Sequence, residues 1–77
     1  MTKNSPMKGM KLKNTLKIQR AINNLTQEQL AELVNVTRKT INTVENGKFI
    51  PSTILSLKLA RVLNVTVEEL FILHDES

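Results

Sequence analysis

The stretch from residue 37 to residue 48 reads TRKTINTVENGK, and its polar residues recur at helical spacing. Projected at 100° per residue, Arg38, Asn42, Asn46, Lys39 and Thr43 fall within an arc of roughly 140°. Ile41 and Val44 lie near the opposite pole and can anchor the helix to a core. Cations, amides and a hydroxyl therefore share one face. Those groups match base edges in the major groove of duplex DNA: a guanidinium fits guanine O6 and N7, and an asparagine amide fits adenine N6 and N7. The bland alternative is an ordinary solvated face. Such faces mix both signs, and this stripe holds no aspartate or glutamate, so base recognition is the better reading.

No other grouping of residues suggests chemistry. His74 is the only histidine, and there is no cysteine to supply a nucleophile, a disulfide or a thiolate metal site. Glu28, Glu32 and Glu45 are spread over a pair of helices, with no glycine-rich loop and no second histidine beside them. The sequence therefore predicts no enzyme, no cofactor, no metal site and no evident small-molecule ligand. The net charge is +4 and the pI near 9.8, a balance that favours a polyanionic partner. Lys3, Lys8, Lys11, Lys13, Lys17 and Arg20 have no acid among them, whereas Glu68, Glu69, Asp75 and Glu76 close the chain without a base. No apolar run approaches the ~20 residues of a membrane span, and no hydrophobic segment follows the first lysines as it would in a secretory signal. A cysteine-free, basic chain of this kind is expected in the cytoplasm.

The elements that must position the stripe are written in a repeated grammar. Thr26, Thr37 and Thr66 each stand where a helix should begin, and Gln29 and Glu69 complete capping boxes on the first and last of them. Leu25 with Leu30, Val36 with Ile41, and Val65 with Leu70 have the spacing of hydrophobic staples. Asn14 and Ser52 are simpler caps. Asn24, Asn35 and Asn64 each lie two residues before a threonine cap, where the chain must turn left-handed, and Gly47 does the same after the third helix. The pattern predicts five helices, over 14–23, 26–34, 37–46, 52–63 and 66–71, in a single all-α domain spanning 11–77. Residues 11–13 and 71–74 are β-tolerant and can pair as a short terminal two-stranded sheet. Residues 1–10 read as a flexible basic tail.

Only Asn35, Val36 and Thr37 separate the second and third helices, the spacing of a helix-turn-helix. Leu30, Leu33 and Val34 are expected to face the core, with Ala31 small enough for close helix approach. With those residues in place, the segment TQEQLAELVNVTRKTINTVENGK resembles the phage repressor and Cro-type helix-turn-helix family, and the likeness continues through PSTILSLKLARVLNVTVEELF. The resemblance implies a five-helix, lambda-repressor-like domain that binds operator DNA as a twofold dimer. Position by position, it implies that Gln27 bonds a backbone phosphate and braces the recognition helix. Thr37, Arg38, Lys39 and Thr43 would read the groove, and Thr40, Asn46 and Lys48 would contact the DNA backbone. Arg20 and Glu45 would form a partly buried ion pair between helices one and three. The likeness departs at Asn35, where the family usually has glycine, and at Gln19 and Ile54, which bear on the dimer surface. Ile54, Val62, Val67, Phe71 and Leu73 are candidates for that surface or for the core. The same fold also occurs in antitoxins and bridging factors, whose partner is a protein, so a protein-interaction module is the rival reading. Such a module would carry aromatic or large apolar anchors on its third helix, and the stripe has none. Phe49 and Phe71 do not make the interleaved stacking platform that single-stranded RNA prefers.

Overall fold

Threonine and asparagine punctuate this chain, and they decide where its helices begin and end. A computed structural model describes residues 9–75 as β1 (Met10–Asn14), α1 (Leu16–Ile22), α2 (Gln27–Leu33), α3 (Arg38–Glu45), α4 (Thr53–Leu63), α5 (Val67–Leu70) and β2 (Phe71–Asp75). Thr26, Thr37, Ser52 and Thr66 occupy N-caps in extended backbone. Each hydroxyl accepts from the amide three residues on, at 3.0–3.2 Å. The Gln29 and Glu69 side chains return the bond to the Thr26 and Thr66 amides at 2.9 and 2.8 Å. Thr37 has no such return, and its hydroxyl meets that of Thr40 at 3.0 Å instead. Each cap contributes about 1 kcal/mol, which matters for helices this short.

The helix ends are as uniform as the starts. Asn24, Asn35 and Asn64 have φ of 56°, 60° and 59°, and Gly47 has 72°. At each of them the next amide reaches back across the last turn, as Lys48 N–H does to Thr43 O at 2.9 Å. The residue making that bond is Leu25, Val36 or Val65 at the asparagine ends, and all three pack against the core. At the Gly47 end it is Lys48, which is exposed.

Leu16, Leu30, Val34, Ile41, Val44, Leu59 and Leu70 form the centre of the core, with Ala31, Leu55, Ala60 and Leu63 around them. Leu33 was expected there and is 59% exposed. Leu30, Ala31 and Val34 define the inward face of α2, and Leu33 lies roughly 100° round the helix from its middle. Among the candidates for core or interface, Val62, Val67 and Phe71 pack against the core, while Ile54 and Leu73 are 68% and 56% exposed.

The terminal sheet is longer than the sequence suggested. β1 and β2 pair antiparallel from Met10↔Asp75 to Asn14↔Phe71. Both neighbouring helices are correspondingly shorter: Asn14 belongs to β1 rather than α1, and Phe71 opens β2 rather than closing α5. The junction is stitched by Thr15, whose amide donates to Leu70 O at 2.9 Å and whose hydroxyl donates to Glu69 O at 2.8 Å. Asn14 accepts from Leu16 N–H at 3.1 Å and donates through Nδ2 to Val44 O at 2.9 Å, so it ties the sheet to α3. Met10, assigned to the tail from sequence, is the first residue of β1, and residues 1–8 of that tail lie outside the described residues.

Candidate nucleic-acid interface

The polar stripe depends first on how α3 is held. Ile41 and Val44 are completely or almost completely buried, at 0% and 1% exposure, and they fix which side of α3 turns inward. α2 meets that side through Leu30, Ala31 and Val34, all buried. The turn between the two helices is closed by Val36 N–H on Ala31 O at 2.9 Å, with Asn35 left-handed at its centre. The opposite side of α3 is what remains for solvent. Arg38, Lys39, Asn42 and Asn46 are exposed on it, and Thr43 is half-buried. Thr37 and Lys48, beyond the two ends of the helix, are also exposed, and Thr40 is half-buried.

Glu45 is the one acid in α3, and its side chain is only 4% exposed. Burying a carboxylate requires a partner, and Arg20 of α1 supplies one, with Nε 2.7 Å from Glu45 Oε2 and Nη2 3.4 Å from Oε1. The remaining Arg20 contact is Nη1 to Leu25 O at 2.9 Å, which also pins the α1–α2 turn. The acid is thereby neutralised beneath the stripe, and the charges left facing outward are those of Arg38, Lys39 and Lys48.

Gln27, the first residue of α2, completes this arrangement. Its Nε2 donates to Glu45 Oε1 at 3.0 Å and to Asn42 Oδ1 at 3.2 Å. A carboxylate can only accept, so Glu45 dictates that the nitrogen of Gln27 faces it. That nitrogen's other proton then calls for the oxygen of Asn42. Asn42 consequently turns its Nδ2 outward as a donor. Thr43 is similarly committed, because its hydroxyl donates back to Thr40 O at 2.9 Å or Lys39 O at 3.0 Å. It presents a methyl group and oxygen lone pairs rather than a free proton.

Every candidate named from the sequence is thus located: Arg38, Lys39, Asn42, Thr43 and Asn46 along one side, Thr37 and Lys48 beyond its ends, and Thr40 beside Thr37. Gln27 sits at the edge of the stripe from α2, and Arg20 lies beneath it with Glu45. The Gln27–Asn42 bond and the Asn14–Val44 bond are additions that sequence reasoning missed. Both join residues at least 15 positions apart, and no local spacing signals them.

The family model described as helix-turn-helix matches residues 16–70, from the first residue of α1 to the last of α5. A helix-turn-helix-type transcriptional regulator of Methanocaldococcus jannaschii is 46% identical over 66 residues, covering 86% of this chain and all of that protein. Another from Bacillus subtilis, YgzD, is 38% identical over the same share of this chain and the whole of its own length. Both of those relatives are themselves uncharacterised. Among solved structures, the restriction-modification controller protein C.AhdI of Aeromonas hydrophila superposes with a TM-score of 0.66 at 35% identity, covering 70% of this chain and 78% of that one. No helix among the described residues is long and apolar enough to cross a membrane. With five helices among its described residues, a helix-turn-helix at their centre and relatives of this kind along most of its length, the chain belongs to the Cro/C1-type helix-turn-helix family of DNA-binding transcription regulators, a class that binds rather than catalyses.

Proposed function

We propose that this chain is a sequence-specific repressor, acting in the cytoplasm as a homodimer on a pseudo-palindromic operator in double-stranded DNA. The observation that carries this reading is the outward, acid-free polar side of α3, with its only carboxylate buried and paired beneath it. In this reading α3 lies in the major groove, and contacts to phosphates on both flanks fix its register. Thr37, Arg38, Lys39, Asn42 and Thr43 read bases. Thr40, Asn46 and Lys48 hold the DNA backbone, and Gln27 braces α3 and approaches a phosphate at the near end.

The internal bonds refine what each reader can recognise. Arg38 is free to form a bidentate contact with guanine. Asn42, with its oxygen engaged by Gln27, offers a donor alone and suits guanine O6 or N7 or thymine O4 better than the paired edge of adenine. Thr43 suits a thymine methyl or an amino group.

Homodimer formation is supported by the limited number of base contacts one small module makes, too few to single out a site in a genome. Two copies on one face of the duplex would set half-sites ~34 Å apart. Ile54, exposed on α4 with Leu57 one turn away, and Leu73 on β2 are the apolar side chains that such a contact could cover. Repression rests on the family resemblance. Selection of bound sequences from a random duplex pool tests the whole reading: a two-half-site consensus is expected. Recovery of no enriched sequence would overturn it in favour of a protein-interaction module of the antitoxin or bridging-factor kind.

A further inference from the structure

The residues that end α3 are chemically unlike those at the other helix ends. Asn46 caps the helix and Gly47 follows it, so the last member of the polar stripe is an asparagine directly before a glycine. No other asparagine in the chain precedes glycine. Asn14, Asn23, Asn24, Asn35, Asn42 and Asn64 are followed by threonine, asparagine, leucine, valine, threonine and valine, whose side chains shield the next backbone nitrogen. Asn4, before Ser5, lies outside the described residues. Asn46 is exposed, and a side chain at Gly47 would meet nothing within 4 Å, so neither residue is shielded by the fold.

We propose that Asn46–Gly47 is a self-modification site at which the protein loses its DNA-binding capacity with age. The Gly47 backbone nitrogen attacks the side-chain carbonyl carbon of Asn46. The new bond closes a cyclic imide as the bond to the side-chain nitrogen breaks, and the Gly47 proton leaves with that nitrogen as ammonia. Water, the only co-reactant, then opens the imide at one carbonyl to give aspartate or at the other to give isoaspartate. No oxidation or reduction is involved. In the closed turn the attacking nitrogen is occupied, because Gly47 N–H donates to Val44 O at 3.0 Å. The reaction therefore waits on opening of the last turn of α3, the kind of local fraying that helix ends undergo without global unfolding.

The consequence for binding rests on the proposed DNA reading. A carboxylate at Asn46 puts negative charge where a phosphate is to be approached. The isoaspartyl product also inserts a backbone carbon into the turn that holds Lys48 N–H on Thr43 O, and so displaces the neighbouring cation. DNA that packs against this end holds the turn shut and protects it.

The test ages the full chain in mildly alkaline buffer, alone and with its selected duplex, and follows each asparagine by peptide mass spectrometry with an isoaspartate assay. Asn46 is expected to convert at least ~10-fold faster than any other described asparagine, with affinity falling ~10-fold or more in the converted fraction and conversion slowed by bound duplex. Gly47→Asn keeps the left-handed turn, as Asn24, Asn35 and Asn64 do at the other ends, and is expected to remain unconverted. Asn46→Asp should reproduce the affinity loss without ageing. Equal conversion at other asparagines, or unchanged ageing of Gly47→Asn, would overturn the site. Conversion without loss of affinity would overturn the switch. Fresh protein that binds no duplex would instead remove the DNA reading, and the mass assay would still score the site.

Discussion

At the scale of single residues, the polar side of α3 is governed by partly buried groups beneath it. Arg20 fixes Glu45, Glu45 fixes the amide of Gln27, and Gln27 fixes that of Asn42. A partly buried ion pair thereby determines which hydrogen-bonding group a surface side chain presents. In Gln27→Ala the Asn42 amide is free to use both of its atoms, and adenine should rise at one operator position previously occupied by guanine or thymine. Sequencing of pools selected by the two proteins checks this, and an unchanged consensus would show that Gln27 does not orient Asn42. Arg38 and Lys48 make a contrasting pair. Arg38→Ala should cost ~1–3 kcal/mol on the best operator and relax one base position, as read by competition binding. Lys48→Ala should leave sequence preference intact and lower the salt dependence of binding by about one counterion. If Arg38→Ala weakened all duplexes equally, Arg38 would be a phosphate contact.

At the scale of elements, the helices are short and depend on their ends. α1 and α2 have 7 residues each and α3 has 8, lengths at which isolated helices do not form in water. Capping threonines and left-handed asparagines supply what length does not. The sheet is equally dependent on its surroundings, since a lone two-stranded ribbon is at best marginal. Asn14 is its fastening to α3, with both atoms of its amide bonded to backbone. Asn14→Ala leaves Val44 O without that partner and should cost ~1–3 kcal/mol in urea unfolding. A change within experimental error would show that solvent replaces the bond.

At the scale of the whole molecule, apolar side chains remain uncovered on α4 and β2. Ile54 and Leu57 are 68% and 57% exposed beside Lys58 and Arg61, and Leu73 pairs with Leu12 on the sheet. Ile54→Lys should preserve the fold, because that side chain is not part of the core, while shifting the protein to monomer in sedimentation and weakening operator binding ~100-fold or more through lost avidity. A wild-type protein that stays strictly monomeric at high concentration, free and on DNA, would remove the homodimer.

Much of this molecule is local in origin, and so was legible in the sequence. The caps at Thr26, Thr37 and Thr66 and the left-handed turns at Asn24, Asn35, Gly47 and Asn64 each involve residues within a few positions of one another, and the polar arc of α3 follows from helical period alone. What the chain order could not express are bonds between distant residues. The exposure of Leu33, the transfer of Asn14 and Phe71 from helix to strand, and the Gln27–Asn42 contact arise only when α1, α2, α3 and the terminal sheet are brought together. Side-chain type and spacing determined which groups would be offered to a partner. Packing decided how those groups are oriented, because a buried acceptor or donor must find its complement and the nearest one is rarely near in sequence.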